Sequence, residues 1–134
     1  MAKFFMRKGI DRAWAEWVGK AEDDFEVIGA ILNENAPPSA ACFHAQQAAE
    51  KLLKALAIYR KKQLKKSHDL TVLAKLIADT DPEVIEYKQE LVLLNRFYIR
   101  TRYPAHTPEF SRQDADLALA AAKRVREFVV GKIE

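Results

Sequence analysis

The sequence predicts an all-α protein, an up-and-down bundle of four long helices plus one short helix. Three observations carry that expectation. Apolar residues recur every three to four positions through most of the chain, the period of a helix with one face buried. Glycine and proline are few, 4 and 5, and the prolines stand between the periodic segments, which are rich in alanine, the best helix former. Alternating apolar and polar runs of strand type are missing.

The first helix is expected over residues 11–33. Trp14, Val18, Ala21, Phe25, Ile28 and Leu32 recur at spacings of 4, 3, 4, 3 and 4 and form one stripe. Asp11 is a candidate N-cap, and the Asn35-Ala-Pro-Pro38 run is the stop. Ser39 opens the second helix, which runs to about residue 60. Ala41, Ala45, Ala48, Leu52, Ala55 or Leu56, and Tyr59 share one face, and Cys42, Ala49, Leu53 and Ala57 a neighbouring one. So wide an apolar arc predicts a central helix with several neighbours, and more arc than one protomer covers. Ser67 or Asp69 caps a short third helix carrying Leu70, Leu73, Leu76 and Ile77. Asp81-Pro82-Glu83 starts a fourth, with a capping Asp, Pro at the first helical position and Glu in the first turn. Its stripe is Val84, Tyr87, Leu91, Leu94 and Tyr98, and its end is expected before Pro104. Ser111 or Asp114 opens the fifth, with Ala118, Ala122, Val125, Val129 and Ile133 inward. Phe25, Leu52, Leu56, Leu91 and Leu94 are the expected core.

A chain of 134 residues suits one domain and hides roughly two thirds of its unfolded surface, enough for a core without staples. The single cysteine, Cys42, excludes an intrachain disulfide, and with it zinc-finger, ferredoxin and CxxC redox chemistry. Its plain reading is a small buried hydrophobe. The longest uncharged stretch, residues 35–49, holds two prolines, two glutamines and a serine, so it is no membrane span. The first residues lack the apolar core of a signal peptide, which points to a soluble cytoplasmic protein. A net charge of +3 favours an anionic partner weakly.

Candidate chemistry is sparse. No His has a Glu three positions before it, as a di-iron bundle requires, and CxxCH, P-loop and GxGxxG patterns are absent, so neither metal nor cofactor is expected. One segment stands out. Arg96, Arg100, Arg102 and His106 fall within eleven positions, interleaved with Phe97, Tyr98 and Tyr103. Arginine forks hold phosphate, aromatic faces stack on bases, and a histidine moves protons near neutral pH. The plain alternative is a solvated helix end whose arginines offset the dipole. The run from Arg60 to Lys66, with five basic residues in seven positions, reads as a solvated linker. His44 reads as a partly buried, hydrogen-bonded side chain, and His68 as a cap-region residue. Gln46 and Gln47 need partners on so apolar a helix, from a second copy or a cleft.

Together these stretches resemble a known family. Ala41-Cys-Phe-His-Ala-Gln-Gln-Ala-Ala-Glu-Lys-Leu-Leu-Lys-Ala-Leu56 is similar to the central-helix signature of HEPN domains (higher eukaryotes and prokaryotes nucleotide-binding). Ser67-His-Asp-Leu70 matches the start of their third helix, and Asn95-Arg-Phe-Tyr-Ile-Arg-Thr-Arg-Tyr-Pro104 their Arg-Tyr-Pro segment. Trp14, Ala21, Asp23 or Asp24, and Phe25 fit the opening helix. The resemblance spans nearly all of residues 1–134, read as a single HEPN-like domain.

The resemblance implies a homodimer whose Arg-containing segments face a shared cleft. It further implies association with nucleotides or RNA, and a minimal nucleotidyltransferase as partner, with this chain on the toxin side of a toxin–antitoxin pair. Arg96, Arg100, Arg102, Tyr98 and Tyr103 are then the phosphate- and nucleotide-binding candidates. Active members of the family cut RNA without metal, through Arg, four to six residues, then His. Arg100 and His106, with five residues between them, satisfy that spacing, whereas Arg102, the arginine of the Arg-Tyr-Pro segment, has only three between it and His106. Three readings stay open: a binding module, a metal-independent endoribonuclease using Arg100 or Arg102 with His106, and a non-catalytic dimerisation module.

Overall fold

The helical period of the sequence is realised as five α-helices in a computed structural model that describes residues 12–98 and 109–133. They are α1 (Arg12–Asn33), α2 (Pro38–Tyr59), α3 (Leu70–Ile77), α4 (Lys88–Asn95) and α5 (Arg112–Ile133), with a 3₁₀ segment, Pro82–Tyr87, between α3 and α4. The described residues contain no strand. The all-α expectation therefore holds, with three helices of 22 residues and two of 8.

Helix α2 is the centre. It packs most extensively along α1, then along α5, and also touches α3 and α4. Ala41, Ala45, Ala49, Leu52, Leu53, Leu56 and Ala57 are all sealed from solvent. The wide apolar arc is thus covered within one protomer, so it gives no ground for a second copy. The small alanines let three helices approach one another closely around α2. Trp14 and Val18 of α1, Leu73 and Ile77 of α3, Leu91 and Leu94 of α4, and Val125 and Val129 of α5 complete the core. Phe25, expected in that core, is only half-buried: it lies at the α1–α5 seam, with the Arg126 guanidinium 5.0 Å above its ring.

The helix ends follow local chemistry. Asp69 caps α3, its carboxylate accepting from the Thr71 N–H and the Thr71 hydroxyl. Ser111 and Asp114 exchange bonds across the first turn of α5 as a capping box. At the start of α2, Pro37 is the cap residue and Pro38 the first helical position, and Ser39 instead accepts from the Phe110 N–H. Both α1 and α2 end in Schellman turns, with Asn35 and Lys61 in the left-handed region.

The fourth helix departs from expectation. The stripe is split between the 3₁₀ segment and α4, and α4 stops at Asn95, well short of Pro104. A spacing of three between Val84 and Tyr87 suits a 3₁₀ turn as well as an α-helix, so periodicity did not separate the two. Asp81 does not cap this segment with its side chain. Its carboxylate is 1% exposed and receives both the Nε and an Nη of Arg60. The basic run is accordingly no simple linker, since Lys62 also pairs with Asp79.

Burial alone would raise the Asp81 carboxyl, but the Arg60 fork and the Thr80 hydroxyl more than offset it and hold the group below its ordinary range. A folded value below the unfolded one, near 3.9, means stability that is full above that pH and lost as pH falls through the folded value.

Two outcomes are expected. Leu52→Ala, removing a fully buried side chain from α2, should cost about 2–5 kcal/mol in denaturant melts. Arg60→Ala strands a buried carboxylate and should cost about 3 kcal/mol or more at neutral pH. Without its fork the Asp81 carboxyl keeps only the Thr80 hydroxyl against the effect of burial and titrates higher than in the wild type. The variant should therefore regain part of its stability relative to the wild type as pH is lowered towards 4, as read by urea melts across pH.

Candidate functional site

Two buried carboxylates organise one surface. Asp24 on α1, with a side chain 7% exposed, accepts from Lys51 Nζ at 2.7 Å and faces His44 Nδ1 at 2.8 Å. Glu50 on α2, with a side chain 6% exposed, accepts from Lys54 Nζ at 2.8 Å and faces His68 Nδ1 at 2.9 Å. A carboxylate only accepts, so in each pair the histidine carries its proton on Nδ1. Charges this deep need such partners, because desolvation otherwise outweighs any gain. His44 is thus the hydrogen-bonded side chain expected from sequence. His68 is more than a cap-region residue.

His68 is held at several points. Gln46, fully buried, donates from Nε2 to the His68 carbonyl at 3.0 Å, and its own oxygen accepts from Gln47 at 2.7 Å. The glutamine pair is therefore satisfied inside one protomer, in place of the second copy or cleft the sequence suggested. The His68 ring stacks on Tyr98 at 4.4 Å between centroids and 17° between planes. Tyr98 is backed in turn by Phe43 at 6.5 Å.

Asn95 fixes the approach to the Arg-rich segment. Its oxygen accepts from the Leu70 N–H, and its amide nitrogen donates to Asp69, each at 2.9 Å. The Thr71 hydroxyl first, with help from Asn95, holds the Asp69 carboxyl below its usual range. The last residue of α4 is thereby locked to the first turn of α3. Just beyond it, Phe97 turns into the core against Phe110, edge to face at 4.8 Å. A pocket of about 180 Å³ opens between His68, Asp69, Asn95 and Tyr98.

Of the candidate residues, Tyr98 lines this pocket and Arg96 does not. Arg96 is exposed, with its guanidinium 5.8 Å from the Phe97 ring. Arg100, Arg102, Tyr103 and His106 lie outside the described residues. Cys42 is inert: burial, reinforced by Asp114, pushes its thiol up to about 11. Among the described residues no three His, Cys, Asp or Glu side chains gather as a metal would require, and no helix is long and apolar enough to cross a membrane.

Glu50 and Asp24 did not emerge from the sequence as site residues. For Glu50 a signal was present: a carboxylate four positions from Gln46, on a helix otherwise lined with alanine and leucine.

Asn95→Ala should cost about 1–3 kcal/mol in denaturant melts, because it orphans the Leu70 N–H and an Asp69 contact together. Asn95→Asp keeps an acceptor for Leu70 but sets two carboxylates against each other, so it should fail to restore the wild-type midpoint.

The comparisons with known proteins agree with this architecture. No curated protein sequence matches the chain significantly. Among solved structures, ST0689, an archaeal HEPN homologue, is similar with a TM-score of 0.72 and 28% identity, over 90% of this chain and 98% of that one. TT1696 from Thermus thermophilus gives a TM-score of 0.74 and 29% identity, over 92% and 99%. The HEPN domain model matches residues 14–133, nearly the whole helical bundle, and the chain belongs to the HEPN domain family.

Proposed function

We propose that the protein binds nucleotides or RNA along the segment that begins at Asn95, and that it does so as a homodimer. Family membership supports the ligand class. The observation that carries the reading is the anchoring of that segment. Asn95 bonds twice to the start of α3, and three residues on Tyr98 stacks on the exposed His68 ring. Arg96, Arg100 and Arg102 then hold phosphate, Tyr103 supplies a stacking face, and Tyr98 contributes through the His68 ring that it backs. The proposed protein partner is a minimal nucleotidyltransferase, with this chain on the toxin side of the pair, in the cytoplasm.

A second reading is catalytic and rests on the five residues that separate Arg100 from His106. His106 takes the proton of a ribose 2′-OH as its oxygen bonds to the adjacent phosphorus. The 5′-oxygen leaves with the proton that the His106 imidazolium gives back, the products being a 2′,3′-cyclic phosphate and a 5′-hydroxyl, and Arg100 or Arg102 stabilises the charge on the phosphorane. No metal is needed for this step.

Arg102→Ala should weaken RNA binding about tenfold or more while leaving the helix content intact, and wild-type affinity should fall as salt rises. Anisotropy titrations with labelled single-stranded RNA measure both. Incubation of the protein with total RNA in EDTA separates the readings. Cleavage that His106→Ala abolishes, with binding retained, identifies the nuclease. Intact RNA leaves the binding module. Absence of any RNA or nucleotide binding at low salt, with or without the partner, leaves a dimerisation module.

A further inference from the structure

We propose that the open face of His68 is a stacking platform for an unpaired nucleobase, so that the ligand of this family member is recognised as single-stranded RNA or free nucleotide and not by its phosphates alone. This deepens the nucleotide- and RNA-binding reading and rests on it.

Phe43, Tyr98 and His68 form a short ladder of rings. Its inner end is the half-buried Phe43, and its outer end is His68. One face of the His68 ring is covered by Tyr98 and one nitrogen is engaged by Glu50, yet the side chain remains 53% exposed. The exposed part is therefore the face away from Tyr98 and the Nε2 edge. A flat ring presented in this way invites a further flat ring, and every base has a π-face to offer.

An exposed histidine on a surface ordinarily samples several rotamers. This one does not need to be ordered on binding. Glu50 and Gln46, both buried, hold its Nδ1 and its carbonyl. The core of the bundle thus fixes the angle of an exposed ring, which lowers the entropic cost of stacking on it. Within α2 Glu50 pairs through one oxygen with Lys54, and its other oxygen is given to the His68 ring. The adjoining pocket between His68, Asp69, Asn95 and Tyr98 gives room for a base edge beside the ring. The same ring shares that pocket with Asn95, the residue at which the Arg-rich segment begins in sequence. Glu50 is a positioning residue here, acting through His68.

The test uses the full chain with two probes: labelled single-stranded oligoadenylate, and inorganic tripolyphosphate, which carries charge without a base. His68→Ala should weaken oligoadenylate binding about tenfold and leave tripolyphosphate binding unchanged, whereas His68→Phe, which keeps a flat ring, should retain most of the oligoadenylate affinity. On the wild type alone, adding AMP should move the His68 ring-proton NMR signals upfield through the ring current of the base. An alanine variant that binds oligoadenylate as tightly as the wild type overturns the platform. So does a parallel loss of both probes, a phenylalanine variant as weak as alanine, or unmoved His68 signals at saturating AMP. If the wild type binds tripolyphosphate but not oligoadenylate or AMP, the platform falls while an anion site stands. If it binds none of them, the nucleotide-binding reading falls as well.

Discussion

The structure depends on the central position of α2. A helix that touches all four others leaves few directions in which a polar side chain can reach water. Its alanines and leucines meet that demand passively, by filling space. Its polar residues can stay only if they are paired. Gln46 and Glu50 are buried in the middle of the helix; Gln47 and Lys54 of α2 satisfy one oxygen of each, and the rest is met by the chain that follows, through the His68 carbonyl and the His68 ring. Burial of polar groups in α2 thus dictates where the link to α3 must run.

That requirement propagates outward. Once His68 is pinned, Asp69 lies where it caps α3, and the same carboxylate accepts from Asn95 at the end of α4. The end of α4 is therefore placed by hydrogen bonds to α3 as well as by packing of Leu91 and Leu94. Tyr98 then has a ring to stack on. Each step is a modest interaction, about 1 kcal/mol net for a neutral hydrogen bond, but the contacts share partners and act as a network. The candidate site stands on that network.

A second buried charge works at the other end of α2. The Arg60–Asp81 fork joins the C-terminal end of α2 to the turn after α3, and Lys132 reaches Glu83 from the last turn of α5. These pairs fasten the 3₁₀ segment, which has few buried side chains of its own: Val84 alone is fully buried there. The fork is bidentate and its carboxylate is shielded, the geometry in which an ion pair contributes to specificity of arrangement as well as to stability. Surface pairs such as Arg112–Asp116 contribute little by comparison.

Much of this was legible in the sequence because it is written locally. The period of three to four residues gave the helices, the alanine-rich arc identified α2 as central, and the inner face of α5 was read correctly from Ala118 to Ile133. Caps at Asp69 and Ser111 follow from side-chain chemistry within one turn. The motifs around His44, Ser67 and Asn95 pointed to the HEPN family, which the matched residues 14–133 show. The tertiary structure decided what depends on partners distant in sequence. Asp81 looked like a helix cap until Arg60, 21 residues away, took its carboxylate. Phe25 fell at a seam and Gln46 found its partner in the same protomer, because a stripe of residues states which face is buried but not what meets it. The 3₁₀ segment shares its spacing with an α-helix, so only packing distinguished them. Glu50 and His68 lie 18 positions apart, and no local pattern links a buried carboxylate to the ring that it orients.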